Sequence, residues 1–452
     1  MILLENAVIV TSEKEGKGSV LIDGEYITGV FWEDSEDYVT ALERALSGHN
    51  EVERRNLTGR HIIAGGIDPH VHFREPGLTH KADMQTESLA AIAGGVTTVM
   101  DMPNTNPPTT DARRLKEKIQ LAEGRCAGNI YFHIGATNSN CHDLAYMARY
   151  GCPEEGISRD DIAGIKVFMG SSTGNMLVND SEAIKEIFSI REKPVLVHCE
   201  DEDTIRTNLK AATERYGEDI PFEEHRNIRS RMACIKSTIK ALELAIEHQT
   251  RLVLCHISTM EEMEMVRAAK LNNPDIVAET SCNYLWFCDD AYPRLGSLVK
   301  CNPSVKAFTD RQALRNGLRD GLIDIIGSDH APHLLSEKNR KYTQAPSGLP
   351  SIQQTLPVLL TVADEEYIPL TRIASVFSEK ASEIYGLRRG KIREGYYADL
   401  VVFDNSGTFT VRQEDQLSRC GWTPYEGETL RGIIETVFVN GKEVAMTERQ
   451  KF

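Results

Sequence analysis

Residues 68–76 of the chain read DPHVHFREP, and the apolar residue Ile67 leads directly into them. This segment places two histidines, His70 and His72, one residue apart. On a β-strand, side chains at positions i and i+2 project from the same face, so both imidazoles would point at one spot. Imidazole suits zinc and similar cations, whereas two buried histidines without a partner would leave ring nitrogens unsatisfied. The segment therefore predicts a metal site.

The length and charge of the chain limit the classes of function. Its 452 residues allow a large domain of about 300 residues, with a sizeable core, and a smaller one. The 51 Lys and Arg residues against 67 Asp and Glu residues give a formal charge of −16. This acidity argues against non-specific binding to nucleic acid or to an anionic membrane. An anionic substrate would have to be attracted by a local positive group.

The N-terminus and the cysteines favour a cytoplasmic location. Residues 1–6 have no basic leader, and no uncharged apolar stretch reaches the length of a membrane span. The ten cysteines show no Cys-x-x-Cys spacing, and most lie in apolar, strand-like runs. We interpret them as reduced, buried residues rather than as a disulfide framework.

Both ends of the chain have the pattern of short β-strands. Near the N-terminus an Asp-Gly turn at residues 23–24 separates two such runs, and an Asn-Gly turn at residues 440–441 does the same near the C-terminus. Both termini are therefore expected to build one smaller, β-sandwich-like domain around a larger inserted domain. The predicted division is residues 1–60, 61–387 and 388–452.

Between the two ends, apolar strand-like runs alternate with helical patterns, which is typical of repeated βα units and a parallel sheet. The eight apolar runs are residues 67–72, 97–101, 131–136, 164–168, 195–198, 252–257, 276–280 and 323–328. The helical patterns include residues 83–93, 180–191, 226–248 and 259–271. Eight parallel strands predict an α/β fold with a closed (β/α)8 barrel of the TIM type.

In such a barrel, catalytic side chains come from the carboxyl ends of several strands. The polar residues at these ends are His70 and His72 on the first strand, Lys166 on the fourth, His198 on the fifth, His256 on the sixth and Asp329 after the eighth. These residues are far apart in the sequence. The predicted fold would nevertheless bring them to one mouth of the barrel.

Each of these candidates also has a structural interpretation. A lone histidine after an apolar strand is more often a hydrogen-bonded core residue than a ligand, but two at equivalent strand ends, His198 and His256, favour ligation. Lys166 could extend to the surface, although burying an ammonium within a strand is costly. Asp329 could cap a turn, and it is equally placed to act as a base beside a metal.

The other histidines are given less weight. His330 directly follows Asp329, and five more lie in polar or helical contexts. These five are His49, His61, His142, His225 and His248. His80 and His133 stay open as groups that could support the ligands from behind.

Together these segments resemble the dihydroorotases, a group of cyclic amidohydrolases in the amidohydrolase superfamily. The likeness extends from residues 64–68 to residues 390–399, and its most specific parts are residues 68–76 and residues 327–333 followed by Lys338. Residues 102–107 follow the second strand as they do in that family. The resemblance implies a hydrolase that uses zinc for the reversible cyclisation of N-carbamoyl-L-aspartate to L-dihydroorotate, a step of pyrimidine biosynthesis.

The resemblance also implies the metal ligands. These are His70, His72 and Asp329 for one zinc ion and His198 and His256 for the other. Lys166 would bridge both ions, which an ammonium cannot do because it has no free lone pair. Some dihydroorotases carboxylate the lysine to a carbamate and others have an aspartate there. Two zinc ions per subunit and an N6-carboxylated Lys166 are therefore expected, with Asp329 as the catalytic acid and base.

Dihydroorotate differs from a plain hydantoin or dihydropyrimidine by a free carboxylate, which an arginine binds better than a lysine. Arg74 lies two residues after His72, although it could instead pair with a glutamate at the surface. The resemblance implies that Arg74, Asn104 and His333 hold the carboxylate, that Asn302 contacts the ring, and that the backbone of Ser347 and Gly348 reads its amide edge. Hydantoinases, dihydropyrimidinases and allantoinases, which share the metal framework, are the alternatives.

Two unrelated functions compete with this interpretation. Residues 170–174 read GSSTG and fit the G-x-S-x-G elbow of serine hydrolases, but that motif needs a sharp turn into a helix, and the better helix start is near Asp180. A catalytically inactive binding protein is disfavoured because all six ligand candidates are present. The resemblance allows a homodimer that acts on a small molecule, with no nucleic acid or membrane partner.

Overall fold

The computed structural model of the chain describes residues 1–49, 51–170 and 176–445. Its strands form two eight-stranded sheets. In chain order the strands are β1 (Ile2–Val10), β2 (Glu15–Asp23), β3 (Tyr26–Trp32), β4 (Glu53–Asn56), β5 (His61–Ala64), β6 (Gly66–Val71), β7 (Val96–Asp101), β8 (Asn129–Gly135), β9 (Ile162–Phe168), β10 (Val195–His198), β11 (Leu252–Leu254), β12 (Val277–Thr280), β13 (Ile325–Ile326), β14 (Leu400–Thr410), β15 (Thr429–Val439) and β16 (Lys442–Glu443).

Strands β6 to β13 form a parallel sheet in which neighbours in space are neighbours in the chain. The first and last strands meet through a parallel bridge between Val71 and His330, and the His72 N–H donates to the His330 carbonyl at 2.8 Å. Strands β7 and β10 are buried along their whole length, as expected for barrel strands covered by helices. The predicted (β/α)8 barrel is confirmed.

Apolar side chains fill the interior of the barrel below its carboxyl mouth. This cluster includes Ile67, Met100, Leu196, Val253 and Ile325, each from a different strand and each almost completely buried. Such filling is typical of a barrel that is a packed core rather than a pore. The polar strand ends therefore lie above an apolar floor.

The other sheet contains both ends of the described chain. Its order is β16-β15-β14-β5-β1-β2-β3, with β4 beside β1. Strand β14 pairs with β5 in antiparallel register, from Leu400 opposite Ala64 to Phe403 opposite His61. The prediction of a separate β unit made from both termini is confirmed. Strand β5 belongs to this sheet, and the division at residues 60 and 387 stays a prediction.

Helices follow the barrel strands. The α-helices are α1 (Tyr38–Leu46), α2 (Met84–Ala93), α3 (Ala112–Ala122), α4 (Cys141–Tyr150), α5 (Ser181–Phe188), α6 (Glu202–Tyr216), α7 (His225–Ile228), α8 (Arg231–His248), α9 (Met260–Ala269), α10 (Cys282–Trp286), α11 (Tyr292–Leu295), α12 (Phe308–Arg319), α13 (Leu335–Lys338), α14 (Thr355–Glu365), α15 (Leu370–Ala374) and α16 (Lys380–Tyr385). Asp83 and Asp201 cap α2 and α6, and a Thr259–Glu262 capping box starts α9. In the described ranges, no helix combines the length and apolarity that a membrane crossing requires.

The structure differs from the predicted elements at two kinds of position. The helix predicted over residues 226–248 is divided into α7 and α8, because Ser230 is extended (φ −72°, ψ 162°) and Arg229 turns aside to pair with Glu200. Strands β11 and β13 are shorter than predicted. The chain leaves each ladder before His256 (φ 40°) and Asp329 (φ 49°), which adopt left-handed backbone conformations at the mouth of the barrel.

Candidate metal centre and substrate pocket

The carboxyl ends of the barrel strands surround a cavity of about 70 Å³. Eleven of the twelve predicted site residues line it: His70, His72, Arg74, Asn104, Lys166, His198, His256, Asn302, Asp329, Ser347 and Gly348. The twelfth, His333, lies behind the wall, with Nε2 3.0 Å from Nη2 of Arg74. The structure thus brings together residues that the sequence separates by up to 278 positions, from His70 to Gly348.

His70, His72 and Asp329 converge on one point, which we call the first half of the centre. Oδ1 of Asp329 lies 3.4 Å from Nε2 of His70 and 3.2 Å from Nε2 of His72. Zinc–nitrogen bonds of about 2.0–2.1 Å in tetrahedral geometry separate neighbouring ligand atoms by about 3.3 Å. The spacing of these three side chains therefore fits a shared zinc-sized cation.

Hydrogen bonds fix the rings of the first half. Nδ1 of His70 donates to Oε1 of Glu279 at 2.7 Å, and Nδ1 of His72 donates to Oδ1 of Asn104 at 2.8 Å. Both imidazoles therefore present the Nε2 lone pair to the cavity. Burial, together with the positive charge of Lys166, holds the pKa of His70 well below its usual value, so this ring stays neutral and able to ligate.

Asp329 is an ionised carboxylate in an enclosed place. Burial would raise its pKa, whereas any positive charge on His70 or His72 in the metal-free site lowers it, and the net shift is downward. Its approach to His70 depends on Gly327, because a Cβ there would lie 2.8 Å from the His70 Cβ and 2.7 Å from the Glu279 carboxyl carbon. The glycine lets β13 and the following turn pack against the His70 side chain.

His198 and His256, with Lys166, form the second half of the centre. Nε2 of His198 donates to Oε2 of Glu200 at 3.0 Å, which leaves Nδ1 as an acceptor facing Nε2 of His256 at 2.9 Å. The buried Nδ1 of His256 has no hydrogen-bond partner in the described part of the chain. Burial and the neighbouring His198 lower the pKa of His256 well below its usual value. The two ring nitrogens that face each other, Nδ1 of His198 and Nε2 of His256, are close enough to share one cation here.

Lys166 lines the same cavity. It projects from β9 into the cavity, is almost completely buried, and places Nζ 3.2 Å from Sγ of Cys255. Burial raises the pKa of the Cys255 thiol, so the sulfur is not an anionic partner for the lysine. In the described part of the chain, no carboxylate is bonded to the amino group of Lys166, which faces the ligand set.

Arg74 provides the positive group on the opposite wall. It is 5% exposed and has a left-handed backbone (φ 65°). Its Nε donates to the Pro332 carbonyl at 3.0 Å, and Nη2 contacts His333. Burial lowers the pKa of Arg74 to about 10, so the guanidinium is still charged at neutral pH. Within the described residues, this cation forms no ion pair with a carboxylate of the protein.

The remaining wall offers polar atoms at short range. The buried Oδ1 of Asn302 has no partner among the residues that the structure describes. The Ser347 carbonyl accepts from Nε2 of His333 at 3.1 Å, and Gly348 adopts φ 141°, where a Cβ would lie 2.5 Å from the Ala331 carbonyl oxygen. The backbone at Ser347 and Gly348 is thus held against the cavity.

The sequence analysis missed two residues that touch the candidate ligands. Glu279 at the end of β12 orients His70, and Glu200 just after β10 orients His198 while pairing with Arg229. Each acidic residue follows an apolar strand run, and that signal was available in the sequence.

The other histidines have structural roles or none near the cavity. His330 bonds Glu87 at 2.6 Å and His225 bonds Tyr342 at 2.8 Å, so both are satisfied core residues. His133 is buried and bonds the Pro69 carbonyl at 2.9 Å, behind the first strand. His80 is exposed. The GSSTG elbow candidate at 170–174 lies, after Gly170, outside the described residues.

Comparison with known proteins agrees with this site. The sequence profile of the amidohydrolase family matches residues 61–444. The chain is 33% identical to the dihydroorotase of Methanosarcina acetivorans, over 94% of this chain and 88% of that protein, and 32% identical to the dihydroorotase of Methanothermobacter thermautotrophicus, over 87% and 86%. The L-hydantoinase of Arthrobacter aurescens has a similar fold, with a TM-score of 0.88 and 24% identity over 98% and 96% of the two chains. The chain therefore belongs to the amidohydrolase family and, within it, to the dihydroorotases.

Proposed function

We propose that this protein catalyses the reversible cyclisation of N-carbamoyl-L-aspartate to L-dihydroorotate, a step of pyrimidine biosynthesis. The observation that carries the proposal is Arg74, a buried guanidinium that faces the cavity and has no carboxylate partner among the residues that the structure describes. A buried charge needs a counter-ion, and the substrate carboxylate would supply one. The curated relatives named dihydroorotase support the same activity.

The structural neighbours give the alternative activity. The solved structures with the same fold include hydantoinases and a dihydropyrimidinase. At 24% identity they support the fold alone. Their named substrates lack the carboxylate that Arg74 would bind, so the unpaired guanidinium favours dihydroorotate over these rings.

We also propose that the site holds two zinc ions. His70, His72 and Asp329 would bind one, His198 and His256 the other, and an N6-carboxylated Lys166 would lie between them. When bound, such ions lower the pKa of water and polarise the carbonyl under attack. The fit of the first half to tetrahedral spacing, the approach of His198 Nδ1 to His256 Nε2 at 2.9 Å and the buried Lys166 amine support this assignment.

Asp329 would move the proton during the reaction. Its pKa is held low by His70 and His72, so the carboxylate is ready to accept a proton from water as the ring amide is attacked. The same side chain would then deliver that proton to the ring nitrogen as the C–N bond breaks. In the direction of synthesis Asp329 would take the proton from the carbamoyl nitrogen and return it to the departing water.

The opposite wall would orient the substrate. Arg74, with Asn104 and His333 beside it, would bind the carboxylate, and Asn302 would contact the ring. The backbone at Ser347 and Gly348 would bind its amide edge. Such fixed contacts at two ends of a small ring would place its amide carbonyl toward the ligand set.

We propose a cytoplasmic enzyme that acts on a small molecule, and a homodimer as its assembly. The chain carries a formal charge of −16, which does not favour anionic macromolecules as partners. Size-exclusion chromatography with light scattering would test the dimer.

The test compares three substrates of the zinc-loaded enzyme: L-dihydroorotate, hydantoin and dihydrouracil. We expect dihydroorotate to have the highest kcat/KM. Arg74→Ala should lower kcat/KM for dihydroorotate by about a hundredfold, because a charge-assisted bidentate contact is lost, and should change the other two substrates by less than about threefold.

The matched control is Arg113→Ala, since Arg113 is exposed and pairs with Glu117 on its own helix. Metal content should be the same in both variants. Equal turnover of dihydroorotate and dihydrouracil by the unmodified enzyme would contradict the substrate assignment.

A further inference from the structure

The cavity wall at Ser347 and Gly348 belongs to an irregular segment. Residues 339–351 contain no helix and no strand longer than one bridge residue. Backbone atoms that bind a substrate must nevertheless be held in place. A fluctuating loop would have to become ordered when the substrate binds, and the entropy lost would lower the affinity for the substrate. The hydrogen bonds that hold this segment therefore decide how well its backbone can bind a substrate.

Lys338, at the end of α13, holds the segment through three carbonyls. Its Nζ donates to the Pro346 carbonyl at 2.9 Å, to the Gly348 carbonyl at 3.0 Å and to the Lys300 carbonyl at 3.1 Å. The Gly348 N–H donates to the same Lys300 carbonyl at 3.0 Å. A lysine ammonium has three protons, and the three carbonyls use all of them.

A second lysine holds the preceding part of the segment. Nζ of Lys300 donates to the Tyr342 carbonyl at 2.7 Å and to the Ala345 carbonyl at 2.6 Å. Lys300 therefore fixes residues 342–345, which lie away from the cavity, and Lys338 fixes the part that lines it. Each lysine thus holds a different part of the segment.

Both ammonium groups are buried, and within the described ranges neither forms an ion pair with a carboxylate. Burial lowers the pKa of Lys338 to about 7 and that of Lys300 to about 8. Burying a cation beside another cation is unfavourable unless main-chain oxygens replace its water.

We propose that Lys338 is a positioning residue for the substrate: it fixes the main chain at Pro346–Gly348 so that the backbone of Ser347 and Gly348 meets the amide edge of the ring. The inference rests on the proposed function, because that function assigns the amide edge to this backbone. It predicts a specific kinetic pattern. Loss of Lys338 should weaken substrate binding and leave the metal centre, which lies on other strands, unchanged.

The experiment replaces Lys338 by methionine, which keeps the length of the side chain and removes its donors. For Lys338→Met we expect KM for dihydroorotate to rise about tenfold, with kcat within about threefold of the unmodified enzyme, because one buried hydrogen-bond set is lost. Metal content should not change. Hydrogen exchange of the Gly348 amide, measured without substrate, should become faster.

Lys341→Met is the matched control. Lys341 lies three residues further on, is exposed, and pairs with Glu218 and Asp219 at the surface. This variant should keep the KM and the exchange rate of the unmodified enzyme. Wild-type KM together with wild-type Gly348 exchange in Lys338→Met would overturn the proposal.

Should Lys338→Met fail to fold, Lys338→Arg replaces it. A planar guanidinium keeps the charge but cannot bring one nitrogen to three carbonyls, so a raised KM is again expected, and a wild-type KM would contradict the proposal. The unmodified enzyme separates this test from that of the function. If it opens hydantoin and not dihydroorotate, the proposed substrate is wrong, and the same variants are then measured with hydantoin, which has the same cyclic amide edge.

Discussion

The two halves of the candidate metal centre differ in charge. In the first half, His70 and His72 lie 3.2–3.4 Å from the Asp329 carboxylate, so two neutral ligands and one anion converge. In the second half, His198 and His256 face each other at 2.9 Å, and the nearby Lys166 is a cation bonded to a thiol. The first half can bind a dication as it stands.

This difference explains why Lys166 matters chemically. An ammonium beside the two imidazoles would repel a divalent ion, whereas a carbamate on the same nitrogen would replace a positive charge with a negative one and add two oxygen ligands. Carboxylation of Lys166 would therefore give the second half, like the first, two imidazoles and one anionic group. Three predictions test this comparison.

The largest effect is expected at Asp329, which supplies the only anion of the first half and is the proposed proton carrier. Asp329→Asn should lower kcat by about a hundredfold to ten-thousandfold, because the general base is lost. Metal analysis should show loss from the first half only. Asp320→Asn, at an exposed residue after α12, is the control and should be unaffected. An Asp329→Asn enzyme with normal turnover would remove Asp329 from the mechanism.

The second prediction concerns Lys166. Lys166→Met should lower activity about a hundredfold and empty the second half, whereas Lys166→Glu, which brings a permanent carboxylate, should retain more metal and more activity. Native mass spectrometry of the unmodified protein should show the mass of one added carbon dioxide. A fully metallated, active enzyme with an unmodified Lys166 would refute the carbamate.

The smallest effects are expected at the two glutamates behind the histidines. Burial raises the pKa of Glu279 to about 8, so the metal-free protein holds it neutral, and Glu279→Gln should weaken metal binding about tenfold without lowering Tm. Burial would also raise the pKa of Glu200, but Arg229 outweighs it and lowers the pKa, so this side chain is ionised. Glu200→Gln should therefore lower Tm as well, because Arg229 loses its partner. Calorimetry with and without zinc separates the two effects, and equal Tm values for both variants would show that Arg229 does not depend on Glu200.

The barrel was predictable from sequence because its strands are apolar runs of regular spacing. The interruption between α7 and α8 was not predicted, although Ser230, the N-cap residue of α8, is of a type that often starts a helix. The pairing of Arg229 with Glu200 accompanies this break. A contact between residues that are 29 positions apart leaves no local signal.

The six ligand candidates were found because each stands at or near a strand end, where the fold itself decides which residues meet. Asn104, Asn302, Ser347 and Gly348 came from the resemblance to the dihydroorotases. His333 does not line the cavity, since its Nε2 contacts Arg74 and the Ser347 carbonyl, and its predicted contact with the substrate carboxylate stays a prediction. Glu279 was missed because a single acidic residue in an apolar strand was not weighed as a partner for a distant histidine. Lys338 belonged to a recognised segment, but its three carbonyl contacts depend on the path of an irregular loop.

The bridge between Val71 and His330 closes the cylinder beside His72 and Asp329, which flank it in the chain. The barrel thus closes at the same place where the first half of the metal centre forms. In a nascent or partly unfolded chain, the first and last strands have not yet paired. Such a chain lacks the assembled set of metal ligands. Metal binding should therefore measure how many chains have closed the barrel. Chains in which the first and last strands have not paired should stay metal-free.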